Sequence, residues 1–297
     1  MQAPIHVLLR TPTCIPELSI EKQANAVSGN ESNIYSTIKK EYETLVKQLL
    51  FHEIKVHQDF PTSSLQTPFE SFPASWIYLH PDGSLIIMSI SDKSRRNERL
   101  QFIIEWVCIN FDTRRLIDLR EYEKQNYFLE GTDSIVFNHD TQIAYACESK
   151  FTNIKLFEAL CYKLNYQPVS FIAYQANGDI FNYTNEILNI TSYGIFFCAD
   201  AIDNSFERSM VLNSLKASER FLMEIPLLHA KEICSNLIEL CNPNGERFTV
   251  ISQSAHDLLH PSHLNIINTY SSLVVVENER IQEYTNKGIN SMMAKLF

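Results

Sequence analysis

Trp76-Ile-Tyr-Leu-His-Pro-Asp-Gly-Ser-Leu-Ile-Ile-Met-Ser-Ile90 is two apolar runs folded about a Pro-Asp-Gly turn, which reads as a β-hairpin. The same unit returns as Asp133-Ser-Ile-Val-Phe-Asn-His-Asp-Thr-Gln-Ile-Ala-Tyr-Ala-Cys147. It returns again as Glu186-Ile-Leu-Asn-Ile-Thr-Ser-Tyr-Gly-Ile-Phe-Phe-Cys198 and as Leu237-Ile-Glu-Leu-Cys-Asn-Pro-Asn-Gly-Glu-Arg-Phe-Thr-Val-Ile251. The turns fall near residues 82, 139, 192 and 244, about 50 to 57 residues apart, so the chain is built on a period.

The segment after each hairpin also repeats. Helical spacing of apolar residues runs over Arg96–Trp106, Asn153–Leu164, Ser205–Ser218 and His256–Tyr270. In the second of these, Leu156, Leu160 and Leu164 share a face with Phe157 beside it. A short strand comes next each time: Leu116–Leu119, Val169–Ala173, Phe221–Ile225 and Leu273–Val276. The module is strand, strand, helix, strand. A helix at Glu41–Phe51 and a strand at Ile54–His57 supply part of a further copy, whose hairpin combines Ile5–Leu9 with Met292–Phe297. The expectation is an α/β fold of five such modules in one domain, residues 1–297, closed into a pseudosymmetric propeller by both termini. An open α/β sheet would show the same alternation, but no dinucleotide-binding glycine motif or P-loop accompanies it.

Composition narrows the function classes. A net charge of −10 over 297 residues excludes a general nucleic-acid binder and would draw a cationic ligand. No apolar run reaches the roughly 18 residues of a membrane span, and Met1–Thr11 lacks the layout of a secretory signal, so the expected location is the cytoplasm. Seven cysteines, with no CxxC pair and no zinc spacing, read as buried free thiols; neither a metal nor a cofactor is expected. Seven glycines are about a third of the ordinary ~7% usage, so any glycine-rich catalytic loops have been thinned.

Several segments resemble the citrulline-utilising, amidinotransferase-like family of the guanidine-modifying superfamily, the pentein α/β-propellers. Phe72-Pro-Ala-Ser-Trp76 is similar to that family's Phe-Pro-Asn-Asn-Trp, Leu79-His-Pro-Asp-Gly83 to its His-x-Asp-Gly turn, and Ser94-Arg-Arg-Asn-Glu-Arg99 to its Asn-Arg-Arg-x-Glu-Arg. Phe128-Leu-Glu-Gly-Thr-Asp-Ser134, continued by Ala144-Tyr-Ala-Cys147, also resembles the Glu-Gly-Gly-Asp of arginine deiminases. Asn236–Leu240 and Met292–Phe297 carry the resemblance to the end.

In that superfamily a cysteine thiolate attacks the guanidinium carbon, a histidine moves protons and a carboxylate holds the cation. The resemblance assigns the carboxylate to Glu130. It places Tyr183, within Asn182-Tyr-Thr-Asn-Glu186, at the histidine position, and Ser291, within Lys287-Gly-Ile-Asn-Ser-Met-Met293, at the nucleophile position. Ser75, Arg95, Arg96, Asp133 and Asn185 are the implied substrate-binding residues, the arginines through bidentate contact with a carboxylate. A phenol with a pKa near ~10 is a poor base at neutral pH, and a serine needs a strong base beside it. Further departures stand at Ala74, Ser75, Thr191, Ser235 and Ile289.

These residues admit two readings. One is a catalytically impaired pseudoenzyme that binds a guanidinium-containing small molecule or an arginine side chain of a protein. The other is an active hydrolase or amidinotransferase whose cysteine was exchanged for Ser291, or whose mechanism was rebuilt around Glu130 and Tyr183. His139, His229 and the stripe Tyr193, Phe196, Phe197 read as packing residues.

Overall fold

Strand β1 (His6–Leu8) lies antiparallel to β15 (Ala294–Leu296), at the other end of the chain, and parallel to β2 (Lys55–His57). This is a computed structural model describing residues 3–13, 31–58, 60, 67 and 69–297. The three-strand pattern of the termini recurs four times. β3 (Ile77–Leu79), β4 (Ser84–Ile87) and β5 (Arg115–Asp118) form the second unit. β6 (Val136–Asn138), β7 (Ile143–Cys147) and β8 (Gln167–Phe171) form the third. β9 (Leu188–Ile190), β10 (Gly194–Phe197) and β11 (Phe221–Glu224) form the fourth. β12 (Leu237–Cys241), β13 (Arg247–Ser252) and β14 (Ser272–Val276) form the fifth. In every unit the middle strand has one antiparallel and one parallel neighbour. A bridge from Leu296 to Leu79 joins the first two units into one six-stranded sheet.

Parallel neighbours need a crossover, and helices supply it. α1 (Glu31–Phe51) connects β1 to β2, α2 (Gln101–Asn110) connects β4 to β5, α3 (Ile154–Leu164) connects β7 to β8 and α4 (Ser205–Lys216) connects β10 to β11. The face of α3 read from the sequence is the buried one, and Asn153 caps it by accepting from the Leu156 amide. The expected helix over 256–270 is instead two, α5 (Gln253–Leu258) and α6 (Pro261–Tyr270). Pro261 has no N–H to continue the first helix, yet it suits the first position of the second, where His260 caps the Ser262 amide. The helix expected from Glu41 starts at Glu31, and the segment before α2 is a separate 3-10 turn, Ser94–Glu98. A seventh helix, α7 (Glu279–Thr285), has too short an apolar pattern to be read in advance.

The apolar cores join successive units as well as packing each helix on its own strands. Leu8, Leu296 and Leu79 pack the first unit on the second, and Tyr78, Phe137 and Ala144 the second on the third. Phe171, Ile187, Phe196, Leu237 and Ile251 span the third to the fifth, and Val7, Leu240, Val250 and Met292 bring the fifth back onto the first. Tyr193, Phe196 and Phe197 belong to this packing, and half-buried His139 sits between the Tyr78 and Tyr166 hydroxyls.

Cys147, Cys161, Cys198 and Cys234 are buried free thiols, but Cys108 is exposed and Cys241 half-buried, because each falls outside the apolar face of its element. Cys14 lies outside the described residues. No helix among the described residues is long and apolar enough to cross a membrane.

Candidate active site

A short turn of helix precedes the first strand of each unit: Pro73–Ser75 before β3, Gly131–Ser134 before β6, Thr184–Glu186 before β9, Ala230–Cys234 before β12 and Ile289–Met292 before β15. Four of these turns deliver the site residues, so positions far apart in sequence meet because they are equivalent in the repeat. Gly131 permits the closest approach. Its φ is +60°, and a Cβ there would stand 1.9 Å from the Ala74 carbonyl oxygen, inside any tolerable contact. Gly288 does the same for the last turn, where a Cβ would stand 2.2 Å from the Ser235 carbonyl oxygen.

Asp133 is the hub. Its side chain is fully buried, and Oδ1 accepts from Ser291 Oγ at 2.6 Å and Asn185 Nδ2 at 2.9 Å. Oδ2 accepts from Lys287 Nζ at 2.6 Å and Ser75 Oγ at 2.7 Å. Burial alone would raise this carboxyl. The Lys287 ammonium and the hydrogen bonds from Lys287, Ser291 and Ser75 outweigh it and hold the carboxyl below the usual range.

Glu130 is equally enclosed. Oε1 accepts from the Ser91 amide at 3.1 Å and its hydroxyl at 2.7 Å, while Oε2 accepts from Tyr183 Oη at 2.7 Å and Arg95 Nη1 at 3.2 Å. The remaining guanidinium nitrogens of Arg95 grip Glu98 at 3.3 Å, and Arg95 lies 5.1 Å from the centre of the Phe69 ring. Burial opposes the charge of Arg95, but Glu98 and Glu130 fix it firmly protonated. Burial, then the Glu130 charge, pushes the Tyr183 phenol well above its ordinary value. Its ring stacks on Phe151, with centroids 5.1 Å apart, and Lys287 Nζ stands 4.4 Å from its centre.

A cavity of about 210 Å³ opens over Glu130, Arg95, Tyr183 and Lys287. Phe69, Phe151 and Tyr183 wall it, Glu130 and Lys287 lie at its base, and exposed Asp92 stands at its rim. Chemically the arrangement can shelter a small cation-bearing group. It presents no activated nucleophile: the Ser291 hydroxyl donates to a carboxylate of depressed basicity, and the Tyr183 proton is committed to Glu130. Neither Cys147 nor Cys161 is activated instead, since burial pushes both thiols up to about 12. Among the described residues no cluster of His, Cys, Asp and Glu could hold a metal ion.

The structure brings together Ser75, Arg95, Glu130, Asp133, Tyr183, Asn185 and Ser291. It does not bring Arg96, whose guanidinium turns to the Ile90 carbonyl and to Glu123 at 3.0 Å. Neighbouring residues on the 3-10 turn diverge, so Arg95 faces the cluster and Arg96 lies outside it. His229 sits half-buried in the 3-10 turn Leu227–His229. Lys287 and Ser91 were not anticipated, whereas the pairing of Arg95 with Glu98 was an alternative the sequence left open. Lys287 left a signal, being the only charged residue between Asn286 and Ala294.

Comparison with known proteins gives a family and a fold. The family model described as N,N dimethylarginine dimethylhydrolase, eukaryotic, matches residues 17–297. Among solved structures, the N-terminal domain of ArgZ, an arginine dihydrolase from the ornithine–ammonia cycle in cyanobacteria, gives a TM-score of 0.72 at 12% identity, over 98% of this chain and 97% of that one. DDAH from Pseudomonas aeruginosa, a cysteine-to-serine mutant complexed with citrulline, gives 0.66 at 14% identity over 99% and 100%. Unliganded AgrE gives 0.73 at 11% identity, over 98% of this chain and 39% of that one. At such identities the likeness to these structures is one of fold. No curated protein matches the sequence.

Proposed function

We infer the function from one premise: the chain belongs to the eukaryotic N,N dimethylarginine dimethylhydrolase family, within the pentein superfamily of guanidine-modifying enzymes. The motifs pointed to that superfamily through its amidinotransferase-like branch. On this scaffold the chain is a pseudoenzyme, a guanidine-modifying hydrolase fold whose site has lost its chemistry and kept a pocket. The observation that carries this reading is the saturation of both carboxylates. Each oxygen of Asp133 and Glu130 accepts two hydrogen bonds from the protein itself.

Three steps of guanidine hydrolysis fail in turn. Attack needs a nucleophile, and the Ser291 hydroxyl has only Asp133, a weakened base, to take its proton. Proton transfer needs a group that titrates near neutrality, and the Tyr183 phenol is moved away from it. Losing a positioned acid–base group alone is worth roughly 10²–10⁴ in rate. Binding the cation on these two carboxylates needs free oxygens, and Lys287 and Arg95 already occupy them.

The remaining cavity suits a guanidinium-containing small molecule or an arginine side chain of a protein partner, held by aromatic walls and the acidic rim. The five units form one domain closed as a five-bladed α/β-propeller. The core that returns the fifth unit to the first and the pairing of β1 with β15 support this closure. The unpaired thiols among the described residues support a cytoplasmic setting.

The test is an assay of Ser291→Cys and of Ser291→Cys/Tyr183→His against arginine, agmatine and methylated arginines, following ureido product and released amine or ammonia. Ser291→Cys is expected to stay silent, because a lone thiol has a pKa of ~8.5 and no proton donor serves the leaving group. The double variant is expected to recover at most a trace. Robust turnover by Ser291→Cys alone would favour the active enzyme with an exchanged nucleophile.

A further inference from the structure

We propose that Lys287 is an intramolecular ligand: its ammonium fills the cation subsite formed by Asp133, Ser75 and the Tyr183 ring, and so competes with any external guanidinium or primary ammonium for that position. The inference rests on the reading of the site as a guanidine pocket without chemistry, and deepens it by naming what controls entry.

Four observations carry it. The Lys287 side chain is 8% exposed, yet it reaches the most buried carboxylate of the site at 2.6 Å. Its other contacts are those a guanidinium would use: a hydroxyl acceptor, Ser75 Oγ at 3.2 Å, and an aromatic face, Tyr183 at 4.4 Å. It lines the same cavity as Glu130 and Arg95, so it lies between the open mouth and Asp133 rather than behind it. The backbone that presents it is pinned. Asn286 adopts φ +58° and accepts from Lys231 Nζ at 3.0 Å, the Lys287 amide donates to Thr285 Oγ1 at 3.2 Å, and Gly288 abuts Ser235. A side chain held this way acts at high effective concentration, so a free ligand with one cationic group competes poorly.

A removed plug leaves Asp133 buried without a countercharge, which an external cation can supply. Lys287→Ala and Lys287→Met, the second keeping the apolar stem, are titrated with methylguanidinium beside the unaltered protein. Circular dichroism and calorimetric binding are read on each. The expected result is binding at least tenfold tighter in the folded variants than in the unaltered protein. Methylguanidinium should also raise their Tm at concentrations where sodium does not, and Asp133→Asn in the same background should abolish both effects. Folded variants that bind no better than the unaltered protein would overturn the proposal. So would an unaltered protein that already binds as tightly as they do. If neither variant folds alone, refolding in methylguanidinium but not in sodium supports it, and failure in both overturns it. Hydrolysis of methylated arginine by the Lys287 variants would instead overturn the pseudoenzyme reading and leave the plug standing.

Discussion

At Asp133 a single carboxylate holds four donors, three from different turns of the repeat and the fourth from Lys287, two residues ahead of the last turn. Because Lys287 and the hydroxyls outweigh burial, this carboxyl is depressed in the folded protein. The unfolded chain, with an ordinary aspartate pKa of about 3.9, therefore binds more protons than the folded one as acid is added. The stability this contributes is present above the ordinary value and is lost as pH falls through the folded value. Asp133→Asn should flatten that acid limb and leave Lys287 as an unpaired buried ammonium, a loss of roughly 3–5 kcal/mol at neutral pH. Denaturant unfolding of both proteins between pH 7 and 3 checks it; equal stability and an unchanged acid limb would contradict it. At this scale the sequence was only partly legible. Glu130, Asp133, Tyr183 and Ser291 stood in recognisable motifs, whereas Lys287 and Ser91 act through contacts across sequence separations of 154 and 39 residues that no local pattern encodes.

At the scale of elements, the turns before the inner strands matter more than the strands or helices. The hairpins and α3 were readable because alternation and a helical face are local properties. The break at Pro261 was a local signal overridden by the apolar spacing on either side of it. The inner turns are too short to show any period, and their positions are set only by the repeat. Gly131 is the clearest case, since its left-handed backbone and its approach to Ala74 both exclude a side chain. Gly131→Ala is expected to destabilise by at least 1–3 kcal/mol, the usual cost of such strain, with the clash adding to it. It should also weaken any binding at the cavity, because Glu130 immediately precedes the displaced turn and Asp133 lies within it. A Tm within a degree of the unaltered protein would show that the turn tolerates a shift the geometry says it lacks room for.

For the whole molecule, the period of the hairpins announced the architecture, and the pairing of β1 with β15 ties the two ends of the chain into one unit. What the period could not announce is how the carboxylates of the site came to be occupied. Substitution at the nucleophile and base positions was visible in the sequence. The occupation of both carboxylates by Arg95, Lys287 and hydroxyls emerges only when the units are assembled. If that occupation disables the site as proposed, the unaltered chain turns over no guanidine substrate. The most direct measurement is turnover of arginine and methylated arginines by the unaltered chain, at saturating substrate and pH 7 to 9, beside Asp133→Asn as a blank. The account predicts no release of amine or ammonia above that blank at any pH. Turnover that Asp133→Asn abolishes would contradict it.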